Sequence, residues 1–206
     1  MIPYASRTGT KRNLNAMRSR GWRLLVSATG VHRNEGFPYA IDNGAWTAHQ
    51  QGRLFDGAAF RKLLASHGQR ADWVVVPDVV GEATASLRMS AGWLAEVSVV
   101  GAPMLIAVQD GMTPADVAPW VRGGCGIFLG GSTEWKLAQM QRWGDWCCAE
   151  GAYYHVARVN TVRRIRMAQL SHAHSIDGTS ATRFAVNIPK LSNACAQTIL
   201  KLETTS

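Results

Sequence analysis

The sequence predicts an α/β fold on a parallel sheet, for three reasons. Short apolar or β-branched runs alternate with longer helix-like segments almost from end to end. The runs are continuously apolar, as strands covered on both faces are, with no strict apolar/polar alternation. Seven or eight strand–helix units fit into 206 residues, which suggests a compact (β/α)8 barrel of TIM type with some helices abbreviated, because that length is short for such a barrel.

In chain order the first candidate strand is Arg23–Ala28, followed by Tyr39–Asp42, which reads YAID. Asp56–His67 reads as a helix, and Trp73–Asp78, with three consecutive valines, as the next strand. Thr84–Val97 is then a helix, Met104–Gln109 a strand, Thr113–Arg122 a helix and Gly126–Gly130 a strand. Ser132–Asp145 and Thr161–Ser171 read as helices around the strand Tyr153–Ala157, and Ala173–Asp177 as a strand after them. Phe184–Asn187 is the candidate for a last strand. No repeat, linker or composition break divides the chain, so residues 1–206 are expected to form one domain.

With 47% hydrophobic and 17% charged residues, and 20 Gly against 7 Pro, the composition excludes a disordered or collagen-like chain. The longest uncharged apolar stretch, Val97–Gln109, is interrupted by Gly101 and Pro103 and falls short of a membrane span. The opening MIPYASRTGTKRNLN has no apolar run behind it, so a cytoplasmic protein without membrane contact is expected. Cys125, Cys147, Cys148 and Cys195 show no CxxC or CxC spacing, which argues against a disulfide framework or a zinc site.

The net charge of +8 is unevenly placed. Residues 1–34 hold seven Lys/Arg and no acid, residues 158–190 hold six against Asp177 alone, and the acids are concentrated between them. Arg outnumbers Lys 17 to 5, and the planar guanidinium is the better bidentate phosphate ligand. A polyanionic partner, nucleic acid first, is the sharper reading; a solvated basic surface is the plainer one.

The strand ends carry the functional signal. Asp42, Asp78 and Asp177 terminate strands directly, and Asp110 follows one by a residue. In an α/β barrel the carboxyl ends of the strands converge on the face that does chemistry. Asp42 is followed by Asn43-Gly44, Asp177 by Gly178, and Gln109 and Gly130-Gly131 belong to the same layer. A single Asp after a strand is often only a turn former or helix cap. Four together read as a site.

The order of these elements resembles the tRNA-guanine transglycosylase superfamily: acid with a Gly turn, strand-end acid, Gln-x-Gly, Gly-Gly strand end, His-x-x-Arg, final strand-end acid. The text HVARVNTVRRIRMAQLSHAHSIDGTSATRF is most similar to its phage and bacterial branch, the 7-deazaguanine DNA transglycosylases, and the resemblance runs from about Tyr39 to Phe184. It implies that Asp177 is the nucleophile on C1′ of the target nucleotide and Asp42 the acid/base. It further implies that Asp78 grips the N1–H and 2-amino edge of the base, while Gln109 and the Gly131 N–H, with Gly130 beside them, donate to O6. The implied partners are DNA, alternatively tRNA, and a free 7-deazaguanine such as preQ0, with no cofactor and no metal. A partner protein or a second copy of the chain could supply further specificity. The clustered cysteines and histidine of the tRNA enzymes are missing, which disfavours tRNA, and the Gly44 turn lacks their Ser-Gly pair.

The chemistry asks for the same residue types. Exchanging one base for another with retention needs two displacements and a carboxylate nucleophile. A purine leaves readily only when protonated, which calls for a second carboxylate as acid and then base. A nucleoside or sugar hydrolase on the same barrel, or a nucleic-acid-binding protein without catalysis, are the alternatives. Asp110 is expected in the pocket without an evident role. In Thr161–Ser171, Val162, Ile165 and Ala168 form one stripe with Arg163, Arg164 and Arg166 pointing away, so Arg163 and Arg164 are candidate phosphate contacts, while Arg183, six residues past Asp177, is a candidate to hold either a phosphate or a carboxylate. His155 and Arg158 are the candidates to support the site from behind, His172 and His174 are read as structural, and Trp46 could stack on an unpaired base.

Overall fold

A computed structural model describes residues 1–8 and 10–197. Eight parallel strands close into a barrel in sequence order, β1 Ile2–Ser6, β2 Arg23–Ser27, β3 Tyr39–Asp42, β4 Val74–Val76, β5 Met104–Val108, β6 Gly126–Leu129, β7 Tyr154–Val156 and β8 Ser175–Asp177. The chain is therefore a compact (β/α)8 barrel. Helices α1 Lys11–Arg18, α2 Ala45–Gln50, α3 Gly57–His67, α4 Ala83–Ser98, α5 Pro114–Arg122, α6 Thr133–Ala149 and α7 Val162–Leu170 cover it, with α8 Ser180–Arg183 and α9 Asn187–Ala196 after the last strand. No helix stands between β2 and β3, and α8 is four residues long. These are the abbreviations that the short chain requires.

Two expectations are corrected. The sequence reading missed β1, whose Pro3 speaks against a central strand because it cannot donate to a ladder. The structure nevertheless pairs Pro3 with Ile176 of β8, and the Ile2 N–H reaches the His174 carbonyl at 2.9 Å. Phe184–Asn187 is not a strand but the passage from α8 into α9, with Phe184 and Val186 exposed. Closure by β1 leaves β8 no free edge for a further strand to join.

Most strands are apolar on both sides because they face two cores, whereas β7 and β8 turn His155, Ser175 and Asp177 inward. Outward residues such as Leu24, Ile41, Val74, Ile106, Ile127 and Val156 pack beneath the helices. Inward ones, Tyr4, Leu25, Ala40, Trp73, Val75, Leu105 and Ala107, with Phe128 and Tyr153, fill the barrel itself. The interior is plugged from below and open only above the carboxyl ends of the strands. The β3–β4 ladder is the thinnest, with one register pair, Ile41 and Val74. Just beyond it the Asn43 amide donates to the Val76 carbonyl at 3.1 Å, a side chain continuing the ladder where the site begins. No helix among the described residues is long and apolar enough to cross a membrane.

Candidate active site

Above the barrel plug lies a cavity of about 310 Å³, at the small end for ligand sites. Asp42, Asp78, Gln109, Gly130, Gly131, Arg158, Asp177 and Arg183 all line it, with Asn43 and Trp46. Eight expected site residues thus meet in one space. His155 lies directly beneath it, fully buried. Arg163 and Arg164 do not line it; they occupy the first turn of α7, and Arg163 is exposed.

The three carboxylates sit in different surroundings. Asp42 ends β3, and burial together with the negative charges of Asp177 and Asp78 pushes its carboxyl up to about 7. The nearby Ser27 hydroxyl and Gly44 N–H work the other way without cancelling that rise. Asp78 is raised by burial to about 6, opposed by donors from Asn43 and Gln109. Its Oδ1 accepts the Asn43 amide at 2.7 Å and its Oδ2 accepts Gln109 Nε2 at 2.6 Å. A carboxylate offers about four lone-pair positions, so Asp78 keeps acceptor capacity for a ligand.

Asp177 is held from the β7 side. His155 Nε2 lies 2.9 Å from Oδ1, and the Arg158 backbone N–H donates to the same oxygen at 3.2 Å. Oδ2 accepts no hydrogen bond among the described residues, and Asp177 borders the cavity. One carboxylate oxygen is anchored and the other is free.

Gln109 is an amide clip. Its Oε1 accepts the N–H groups of Gly131 at 3.0 Å and Gly81 at 3.1 Å while its Nε2 donates to Asp78. Turning the amide over would set donor against donor, so its orientation is fixed by its neighbours. The Gly131 N–H, expected to address a ligand oxygen, is therefore already given to Gln109. The second Nε2 proton is not engaged by any described residue. A Cβ at Gly130 would come within 2.9 Å of Nε2, so only glycine leaves that donor uncovered.

Arg158 has φ +55, a left-handed conformation rare for a residue with a side chain. Three contacts hold it there: its N–H to Asp177, its guanidinium to the Gly131 carbonyl, and the Trp46 ring, whose centroid lies 3.9 Å from Cζ. One face of Trp46, the expected base platform, is thus covered by Arg158. Asp110, expected in the pocket, is not among its lining residues; its carboxylate takes the Ser132 N–H at 2.6 Å and hydroxyl at 2.5 Å and anchors the start of α6. His174 accepts the Tyr154 N–H at 3.0 Å and His172 lies 3.4 Å from Asp145, both away from the cavity.

Sequence reasoning missed three residues. Asn43 gave a signal, an amide between a strand-end acid and a glycine, that was read only as a turn. Lys136, in the first turn of α6, is 1% exposed, donates to the Ala157 carbonyl, and is lowered to about 7 by burial and by the charge of Arg158. Ser175, inside β8, binds His155 Nδ1 at 2.7 Å. Neither of the last two is visible in a linear pattern.

Compared with known proteins, the chain matches no protein-family model and no curated protein sequence.

Proposed function

We propose that the chain is a pentosyltransferase that replaces guanine in DNA by a 7-deazaguanine base of the preQ0 kind, through a covalent aspartyl-nucleotide. The observation that carries this reading is the pairing of two unlike carboxylates on one small cavity. Asp177 offers one unencumbered oxygen, and Asp42 holds its proton near neutrality. An acid raised toward neutrality suits the acid/base role, and a carboxylate with an unencumbered oxygen suits the nucleophile's.

Asp177 Oδ2 attacks C1′ as the C1′–N9 bond breaks, and Asp42 delivers a proton to the departing guanine. The incoming base loses its N9 proton to the Asp42 carboxylate, and its nitrogen displaces Asp177 from C1′. Two inversions give net retention and restore both acids. Asp78, with its remaining lone pairs, accepts from the N1–H and 2-amino edge, and the free Nε2 proton of Gln109 meets O6. Arg183 at the cavity and the α7 cations Arg163 and Arg164 support a phosphate backbone. A nucleotide within a duplex would have to be everted to reach so enclosed a site.

One observation favours a second reading. The Gly131 N–H is consumed by Gln109, which leaves the base edge one donor short and suits a nucleoside or sugar hydrolase that reads its base loosely. Duplex DNA carrying radiolabelled guanine, incubated with and without preQ0, separates the two. Release that needs preQ0 and vanishes in Asp177→Asn supports exchange. Release without preQ0 makes the enzyme a hydrolase, no release from DNA or tRNA overturns the exchange reading, and no release of guanine from free guanosine or deoxyguanosine overturns the nucleoside hydrolase.

A further inference from the structure

Beneath Asp177 a polar chain descends into the barrel plug. The Tyr153 hydroxyl donates to Ser175 Oγ at 2.8 Å, Ser175 Oγ lies 2.7 Å from His155 Nδ1, and His155 Nε2 lies 2.9 Å from Asp177 Oδ1. Ser175 Oγ receives the tyrosine proton, so its own proton is available to donate to Nδ1. A neutral imidazole that accepts at Nδ1 carries its proton on Nε2, and Nε2–H then donates to Asp177. Burial lowers the His155 pKa and favours the neutral ring. The ring has no room to turn over: it stacks on Phe128 at 4.8 Å and 9°, with Trp73 at 4.7 Å and Tyr4 at 6.0 Å.

We propose that Ser175 and Tyr153 are positioning residues which fix His155 as its Nε2–H tautomer, so that His155 pins Asp177 Oδ1 and leaves Oδ2 as the attacking atom. The inference rests on the base-exchange reading for its kinetic consequence, but not for its structural one. A neutral N–H donor orients the carboxylate without forming an ion pair, whereas an imidazolium would stabilise the negative charge that must be spent on C1′. The wrong tautomer would set two acceptors face to face and turn Asp177 away, which is how loss of an orienting group disables a site whose reacting atoms are all present.

The test has a part that needs no substrate. Nitrogen-15 histidine spectra of the wild-type protein at neutral pH should show His155 as the Nε2–H tautomer, and Ser175→Ala should shift it toward a mixture while Ser175→Thr, which keeps the hydroxyl, should not. In single turnovers on guanine-containing duplex DNA, Ser175→Ala should slow covalent adduct formation by about tenfold at unchanged KM, and His155→Leu by roughly a hundredfold or more. His155→Gln, whose amide can donate from the Nε2 position, should recover most of that loss. An Nδ1–H tautomer or a doubly protonated ring in the wild type overturns the proposal, as does a Ser175→Ala protein with native spectrum and native rate. Thermal melts distinguish a misfolded leucine variant, and in that case the serine and glutamine variants decide. If wild-type protein releases no guanine, the exchange reading has failed, and the spectra still decide the tautomer.

Discussion

The two walls of the cavity treat the same side chain in opposite ways. On the β3–β5 wall, Asp78 is gripped by neutral amides on both oxygens and Asp42 by little beyond a hydroxyl and a backbone N–H, and both are pushed toward the protonated form. On the β7–β8 wall, Asp177 has both its donors on one oxygen, one from a buried ring and one from a backbone in a rare conformation. Surroundings, not residue type, set the two apart: one wall holds two acids toward their protonated form, the other presents a carboxylate oxygen.

The largest effect should come from removing that oxygen. Asp177→Asn should lower preQ0-dependent guanine release by at least about 10³-fold, read by the label assay, while duplex affinity stays within a few-fold. A variant with substantial turnover would move the nucleophile to the other wall. Next, Asp42→Asn should cost about 10²–10⁴-fold and abolish the decline in rate that the wild type should show as pH rises through about 7, where Asp42 loses its proton. The same substitution should stabilise the fold in alkaline solution. Because folding raises the pKa of Asp42, the wild type loses stability as pH climbs from about 4 to about 7, and the deficit is complete above that range. Asparagine carries no such deficit, so at pH 8 the variant should gain about 1–2 kcal/mol in urea melts, the upper part of the range being discounted because Asp42 borders solvent in the cavity. The gain should vanish near pH 4.

Gly130→Ala sharpens the contrast on the reading wall alone. A methyl 2.9 Å from Gln109 Nε2 and 3.2 Å from the Val108 carbonyl should weaken binding of the free base about tenfold by calorimetry. The smallest effect belongs outside the cavity. Arg163→Ala with Arg164→Ala should weaken duplex binding and lower the slope of log affinity against log salt by about 0.9 per lost phosphate contact. An unchanged slope would take α7 out of the nucleic-acid path.

What was legible in the sequence was whatever is local in the chain. A strand-end acid such as Asp42, Asp78 or Asp177 needs only its own strand to be placed at the rim, and closure of the sheet does the rest. Gln109 was legible as a residue of the cavity for the same reason, but not its orientation, which depends on Gly81 and Gly131 from two other loops. Asp110 misled because adjacency to Gln109 suggested a shared pocket, whereas successive side chains at a strand end diverge and its carboxylate found the start of α6. Lys136 and Ser175 take their roles from partners 21 and 20 residues away in the chain, on the next element or the neighbouring strand, and no spacing rule reaches that far. β1 was hidden because its proline violates a rule that its barrel position tolerates.

The pairing of β1 with β8 has a consequence for how the molecule comes into being. Ile2 meets Ser175, so the ring is closed only when the first and last strands find each other. Asp177 stands on one side of that seam and Asp42 two strands beyond the other, so the short way round between the two carboxylates runs through the seam and exists only in the closed ring. Such long-range pairing gives a high contact order and slow folding, on the millisecond-to-second scale or beyond. A half-barrel fragment would carry the individual carboxylates without the spacing that the closed ring gives them, so whatever they do together on the proposed reading belongs to the whole ring and to no part of it.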